Sequence, residues 1–352
     1  MSLLVDIEKT LGSFHLQVQL EAGDETLALL GASGCGKSLT LRCIAGIEKP
    51  DKGRIIVDGR TLFDSEKKID LPPQQRRTGL LFQNYALFPH MTVLQNVQTG
   101  ACRERDKRRR DAAVCAIMER FGLTELSDHL PRQLSGGQQQ RTALARILIS
   151  APDILLLDEP FSALDSHLRF RLEQEVRQVM AQFGKTVLLV SHDRNEVFRM
   201  SDSIAIMAGG SILTCGPKQT VFADPQTTTG AILTGCKNIS AAVPLEDGRI
   251  WATDWGIPLE TAAPTTDVTA VGIRMHEIRL GLGPNAHRCR VVGEIENPCS
   301  YTVLLQATGG QTPIGCELEK AHWQTIRAPE ITISLPPEAL LLLNDTKKRG
   351  SL

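Results

Sequence analysis

The sequence predicts an α/β domain built on a largely parallel sheet, followed by a smaller all-β domain of OB-like or barrel-like form. Three observations predict it. Over residues 1–222 short apolar runs alternate with helix-period segments; the stretch from about 84 to 150 reads as helical; and after about residue 236 short strands follow one another, separated by Gly, Pro, Asn and Asp. At 352 residues with 42% apolar content, the chain is long enough for two cores. The expected division is 1–230 and 236–345, with Pro225–Gly230 (PQTTTG) as the break.

Residues 1–82 alternate strands with one helix. Arg54–Val57 followed by Asp58-Gly59 reads as a hairpin. Glu25–Leu30 (ETLALL) is an apolar strand that runs into Gly31-Ala32-Ser33-Gly34-Cys35-Gly36-Lys37-Ser38, and Leu39–Gly46 continues as a helix. This is G-x-x-x-x-G-K-S. Gly31, Gly34 and Gly36 let the backbone turn so that its N–H groups converge on a phosphate chain. Lys37 supplies a compact charge for the β- and γ-phosphates, and Ser38 a hydroxyl for Mg²⁺. Ser33, Cys35 and Leu39 complete the stretch that would wrap the nucleotide.

Within the helical stretch, Arg103–Gly122 is expected to be one helix whose opening run of six bases and three acids is a solvated face. Leu134–Arg141 reads LSGGQQQR at the start of a second helix. Ser135, Gly136, Gly137 and Gln138 thus form a second anion-binding helix terminus. The run Ile154–Leu157 is a strand buried on both faces that ends in Asp158-Glu159. Asp158 is placed to hold Mg²⁺ and Glu159 to polarise an attacking water. Ser162-Ala163-Leu164-Asp165 follows, and the strand Thr186–Val190 delivers Ser191-His192-Asp193 to the same edge.

With those motifs in that order, the chain resembles the nucleotide-binding subunit of ABC transporters over roughly residues 1–230, LSGGQQQR being the separating string. The resemblance implies that Gly31–Ser38 is the Walker A loop, Asp158 the Walker B aspartate and Glu159 the catalytic base. It implies further that Ser135–Gln138 is the signature, Asp165 the D-loop acid, His192 the switch histidine and Gln83 a γ-phosphate and Mg²⁺ sensor. An aromatic stacks on adenine in the family; Phe14, in TLGSFHL (10–16), is the candidate, with core packing the alternative. ATP and Mg²⁺ are the implied cofactors. One Walker A and one signature per chain imply a homodimer of ATPase subunits that sandwiches two ATP molecules. Transmembrane permease subunits and an extracytoplasmic substrate-binding protein are the implied partners, with the chain at the cytoplasmic face of the membrane. In the family the helical subdomain receives the permease, and Tyr85, Leu87, Phe88 and Pro89 are groove candidates.

A net charge of −1 gives no electrostatic case for nucleic acid, and no apolar run is long enough to span a membrane. The nine cysteines show no C-x-x-C or His-Cys metal spacing and read as reduced thiols. The tail carries strand-like runs at 249–253, 268–274, 288–295, 302–306, 313–318 and 331–335. It resembles the regulatory β-domains of oxyanion, sulfate and polyamine importer ATPases, with a ligand-free dimerisation domain as the alternative. Turns such as 297–301 could offer amides to an oxyanion. The expected function is the ATPase of a bacterial importer, for molybdate or a related oxyanion; sulfate, iron and polyamine importers and a soluble non-transport ATPase are the alternatives.

Overall fold

The computed structural model describes residues 2–162 and 166–345, so Asp165 lies outside the described residues. The chain divides into two compact units, Met1–Lys218 and Gln219–Leu352. The expected break at Pro225–Gly230 falls inside the second unit.

In the first unit β1 (Leu3–Leu11), β2 (Phe14–Ala22) and β3 (Thr26–Leu30) lead into α1 (Lys37–Ala45). Then come β4 (Lys52–Val57), β5 (Arg60–Asp64), β6 (Ile69–Asp70), the single turn α2 (Pro73–Arg76) and β7 (Thr78–Leu81). Helices α3 (Val93–Gly100), α4 (Lys107–Arg120) and α5 (Gly136–Leu148) intervene before β8 (Ile154–Asp158). The unit continues with α6 (Ser166–Phe183), β9 (Val187–Ser191), α7 (Arg194–Met200), β10 (Ser203–Ala208) and β11 (Ser211–Pro217).

The sheet order is β6-β5-β4-β1-β2-β11-β10-β3-β9-β8-β7. From β10 to β7 all neighbours are parallel, and β3, β8 and β9 are buried at every position, as their unbroken apolar runs require. β1 and β2 instead alternate, burying Leu3, Val5 and Ile7 and Leu16, Val18 and Leu20 against α1 side chains such as Leu41 and Ile44. Asp58 (φ 47°) and Gly59 (φ 74°) form the two-residue turn of the β4–β5 hairpin.

Register brings the site together. Leu30 lies opposite Ser191, Asp158 opposite Val190 and Leu81 opposite Leu157, so the segments that follow β3, β9, β8 and β7 emerge along one edge. The helix expected over 103–122 starts only at Lys107. Asp106 accepts hydrogen bonds from the Arg108 and Arg109 amides and caps it, which leaves 103–105 outside.

The second unit contains α9 (Thr228–Leu233), preceded by α8 (Lys218–Ala223) at the division, and is otherwise mostly strand. Its strands are β12 (Asn238–Pro244), β13 (Ile250–Ala252), β14 (Ile257–Leu259), β15 (Ala270–Ile273), β16 (Arg279–Leu280), β17 (Ala286–Glu296), β18 (Ser300–Ala307), β19 (Ile314–Glu319), β20 (Glu330–Ser334) and β21 (Leu341–Leu343), with α10 (Lys320–Ile326) after β19. They form two five-stranded antiparallel sheets, β14-β13-β12-β15-β21 and β16-β20-β17-β18-β19. One core, including Trp255, Trp323, Val271, Leu305 and Ile333, lies within them. The turn at 297–301 is the β17–β18 hairpin connection. Its Ser300 hydroxyl donates to the Glu317 carboxylate at 2.9 Å, a neighbour that repels an anion and argues against an oxyanion seat there.

Candidate nucleotide-hydrolysis site

The glycine loop leaves β3 at Gly31, where a Cβ would come within 2.3 Å of the Met207 carbonyl on β10 and 2.6 Å of Cys35 Sγ. Gly36 sits at φ 109°, and a Cβ there would lie 2.6 Å from Leu16 Cδ1 and 3.2 Å from the Phe14 ring. Only glycine fits either place. Gly34, at φ 79°, would have nothing within 4 Å of a Cβ, so there it is the left-handed backbone that asks for glycine. Phe14 is half-buried beside this loop and packs against the core; Leu39 does the same from α1.

α3, α4, α5, α7 and α9 each carry an N-cap side chain, from Thr92, Asp106, Ser135, Asp193 and Thr227; the short α2 and α10 have none, and neither does α1. Its first amides are left for a ligand. Lys37 is only 5% exposed, and its ammonium donates to the carbonyls of Gly31 (2.7 Å) and Ala32 (2.9 Å), which hold the charge beneath the loop. Ser33 is exposed at the loop tip.

Ser38 Oγ donates to Asp158 Oδ1 at 2.7 Å. Burial raises the Asp158 pKa and the Ser38 hydroxyl partly offsets that, so the carboxylate is poised to gain from a nearby cation. A hydroxyl and a carboxylate in contact, beside an uncapped helix and an open loop, are the oxygen donors that a magnesium nucleotide needs. Gln83 follows β7 at the same sheet edge and is exposed; among the described residues its side chain makes no hydrogen bond.

Glu159 has φ 46°, a left-handed backbone for a residue with a side chain. Its amide donates to Val190 O (3.0 Å), its carbonyl accepts from Ser162, and its Oε1 lies 3.2 Å from His192 Nδ1. The His192 side chain is 60% exposed and faces solvent beside that carboxylate.

The signature serine caps α5. Gln138 N donates to Ser135 Oγ at 3.4 Å and Ser135 N to Gln138 Oε1 at 2.8 Å, a closed capping box. A Cβ on Gly137 would be 2.9 Å from Leu172, so this helix packs close on α6. Among the described residues no hydrogen bond or ion pair joins Ser135–Gln138 to Lys37, Ser38 or Glu159. Walker A, Asp158, Glu159 and His192 are therefore one constellation, and the signature stands apart.

Two arginines escaped the sequence reading. Arg146 of α5 donates to the carbonyls of Ala86 (2.8 Å) and Tyr85 (3.0 Å), both at positive φ, and clamps the segment after Gln83. Arg76 is 1% exposed and donates to Cys43 O (2.7 Å) and Ile44 O (3.0 Å), the last carbonyls of α1, as well as to Leu71 O and Asp70. Tyr85 is buried, which removes it from the groove candidates, whereas Phe88 is exposed.

A phosphate-binding loop and a Walker B acid pair on one parallel-sheet edge define a P-loop ATPase. Residues 14–162 match the ABC transporter family model. The molybdenum import ATP-binding protein ModC of Paramagnetospirillum magneticum is 40% identical over 221 residues, 63% of this chain and 61% of that protein. The spermidine/putrescine import ATP-binding protein PotA of Frankia alni is 44% identical over 348 residues, 89% of this chain and 71% of its own. A dimeric ATP-binding cassette in a post-hydrolysis state with ADP and Pi superposes with a TM-score of 0.52 at 30% identity, over 62% of this chain and 99% of that one. The chain belongs to the ABC transporter ATP-binding family and carries its ATP-hydrolysing machinery.

Proposed function

We propose that the chain is the ATP-hydrolysing subunit of an ABC importer and acts as a pair of identical copies. The observation that carries this is the Glu159–His192 contact at 3.2 Å, one residue past the Ser38–Asp158 pair. Lys37 and the α1 amides hold the β- and γ-phosphates. Ser38 and Asp158, with Gln83 as the further ligand, would hold Mg²⁺, which when bound offsets phosphate charge. Glu159 accepts a proton from the attacking water, and His192 keeps the carboxylate turned toward it. Ser135–Gln138 present the α5 amides to the nucleotide of the second copy, as the isolation of the signature and the dimeric cassette both support. Asp165 is assigned to the contact between copies and Phe14 to the adenine face.

The partners are permease subunits, which place the chain at the cytoplasmic membrane face, and an extracytoplasmic binding protein. For cargo, molybdate or a related oxyanion is the first reading, supported by the match to ModC, which covers 63% of the chain. A polyamine is the second, favoured because the match to PotA covers 89% of the chain and so enters the β-rich tail. The second unit is assigned a modulating role. Uptake of labelled molybdate and spermidine by cells with and without the gene tests the cargo. Loss of neither uptake would reject both readings, and absent ATP hydrolysis by purified protein would reject the function itself.

A further inference from the structure

Asp193 and Glu196 occupy the N-cap and third positions of α7, the spacing of a capping box. The box is only half formed. Asp193 Oδ1 accepts from the amides of Asn195 (2.9 Å) and Glu196 (3.3 Å), but the Asp193 amide, which Glu196 would ordinarily take, donates to Ser191 Oγ at 3.0 Å. Glu196 turns inward instead. It is 4% exposed, its carboxyl meets the Ser191 hydroxyl, and its Oε1 has no hydrogen-bond partner. The neighbouring buried carboxylate is differently served: Glu173 of α6 is neutralised by Arg199 through two bonds of 2.8 Å.

The two residues tied together above Glu196, Ser191 and Asp193, flank His192. We propose that Glu196 is a positioning residue for His192, acting through the Ser191 hydroxyl and the Asp193 amide to set where the imidazole lies against Glu159. This rests on the reading of Glu159 and His192 as the catalytic pair. A displaced imidazole leaves the Glu159 carboxylate unoriented, and misplacement on the ångström scale costs turnover without weakening nucleotide binding, because Lys37 and α1 are untouched.

The same geometry makes the anchor sensitive to pH. The charged groups facing Glu196 are Asp193 and Arg199 on its own helix and Glu173 and Arg169 on α6; β3 and β9 contribute no charged residue. Burial, with Asp193 and Glu173 adding to it, pushes the carboxyl up to about 8. Below that pH the group is neutral and keeps its place against the Ser191 hydroxyl. Above it, a charge appears in a buried place beside Asp193 and Glu173, which are already paired with Arg169 and Arg199, and the anchor is disturbed.

The experiment measures steady-state ATP hydrolysis by the full-length protein from pH 6.5 to 9, for the native chain, Glu196→Gln, Glu196→Ala and His192→Ala. Glu196→Ala is expected to lower kcat about tenfold or more at pH 7 with the KM for ATP within about twofold, and Glu196→Gln to recover most of that loss. Glu196→Gln cannot ionise, so its kcat relative to the native chain should rise severalfold between pH 7 and 9. A flat ratio across that range overturns the proposal, as does a native kcat in Glu196→Ala. If Glu196→Ala does not fold, the Glu196→Gln ratio alone decides. His192→Ala separates the two readings: if it hydrolyses ATP normally, the assignment of the catalytic pair fails, whereas its inactivity beside a flat Glu196→Gln ratio rejects only the role of Glu196.

Discussion

Glu159→Gln separates binding from chemistry. The amide has the carboxylate's shape, keeps the φ 46° backbone at the same cost, and still offers an oxygen to His192 Nδ1 at 3.2 Å. The Ser38–Asp158 pair is untouched. Removing the Glu159 charge also removes one influence that raises the Asp158 pKa, so the cation site is not weakened. What disappears is the proton acceptor. Loss of a general base costs on the order of 10²–10⁴ in rate, about 3–5 kcal/mol of transition-state stabilisation. The variant should bind a fluorescent ATP analogue with native affinity, release phosphate at about a hundredth of the native rate or less, and run as an ATP-stabilised dimer by size exclusion. Phosphate release within about tenfold of native would remove Glu159 from the role of base.

Arg76→Met removes the donor to Leu71 O, Cys43 O and Ile44 O, of which Cys43 O keeps the Gly46 amide, while Asp70 stays partly exposed and paired with Lys49; a buried acceptor left unsatisfied costs about 1–3 kcal/mol, and denaturant unfolding showing under 1 kcal/mol would refute the clamp. Lys37→Ala and Ser135→Arg chains should each be inactive alone, and their mixture should recover ATPase activity from the one intact composite site per mixed dimer. No recovery where mixed dimers demonstrably form would sink the two-copy mechanism. A chain ending near residue 235 should still hydrolyse ATP, since the site residues all belong to the first unit; a folded but inactive product would make the tail part of the catalytic assembly.

The motifs were legible because each rests on residue types with few substitutes: glycines at positive φ, a lysine under a loop, acids after a buried strand. The strands of the tail were legible where the strand itself is long, as in β17 and β18. β14, β16 and β21 span two or three residues, too few for a period, and β12 (NISAAVP) mixes small and turn-forming residues. α10 was missed because Glu319 supplies no capping bond and the sequence carries no start signal. Nothing in the sequence singled out Arg76 or Arg146. Their hydrogen bonds go to carbonyls far along the chain, at Cys43 for one and Ala86 for the other, which no local pattern announces.

Adjacent acids with different duties pose a geometric problem. Along a strand successive side chains point to opposite faces, so Asp158 and Glu159 should diverge across the sheet. The left-handed turn at Glu159 ends that alternation at the last residue of β8. Asp158 keeps its strand direction and reaches Ser38 on α1, while Glu159 swings to His192 beyond the end of β9. The left-handed backbone, about 1–2 kcal/mol of strain for a residue with a Cβ, is thus what turns the two neighbouring acids to different partners. Glu159→Gly exposes that cost: glycine relieves the strain but loses about 0.5–1 kcal/mol through its freer unfolded chain. The variant should therefore be as stable as the native chain or up to about 1.5 kcal/mol more stable by denaturant unfolding, while losing as much turnover as Glu159→Gln. A clear loss of stability would show that Glu159 is held in place by its contacts and carries no strain.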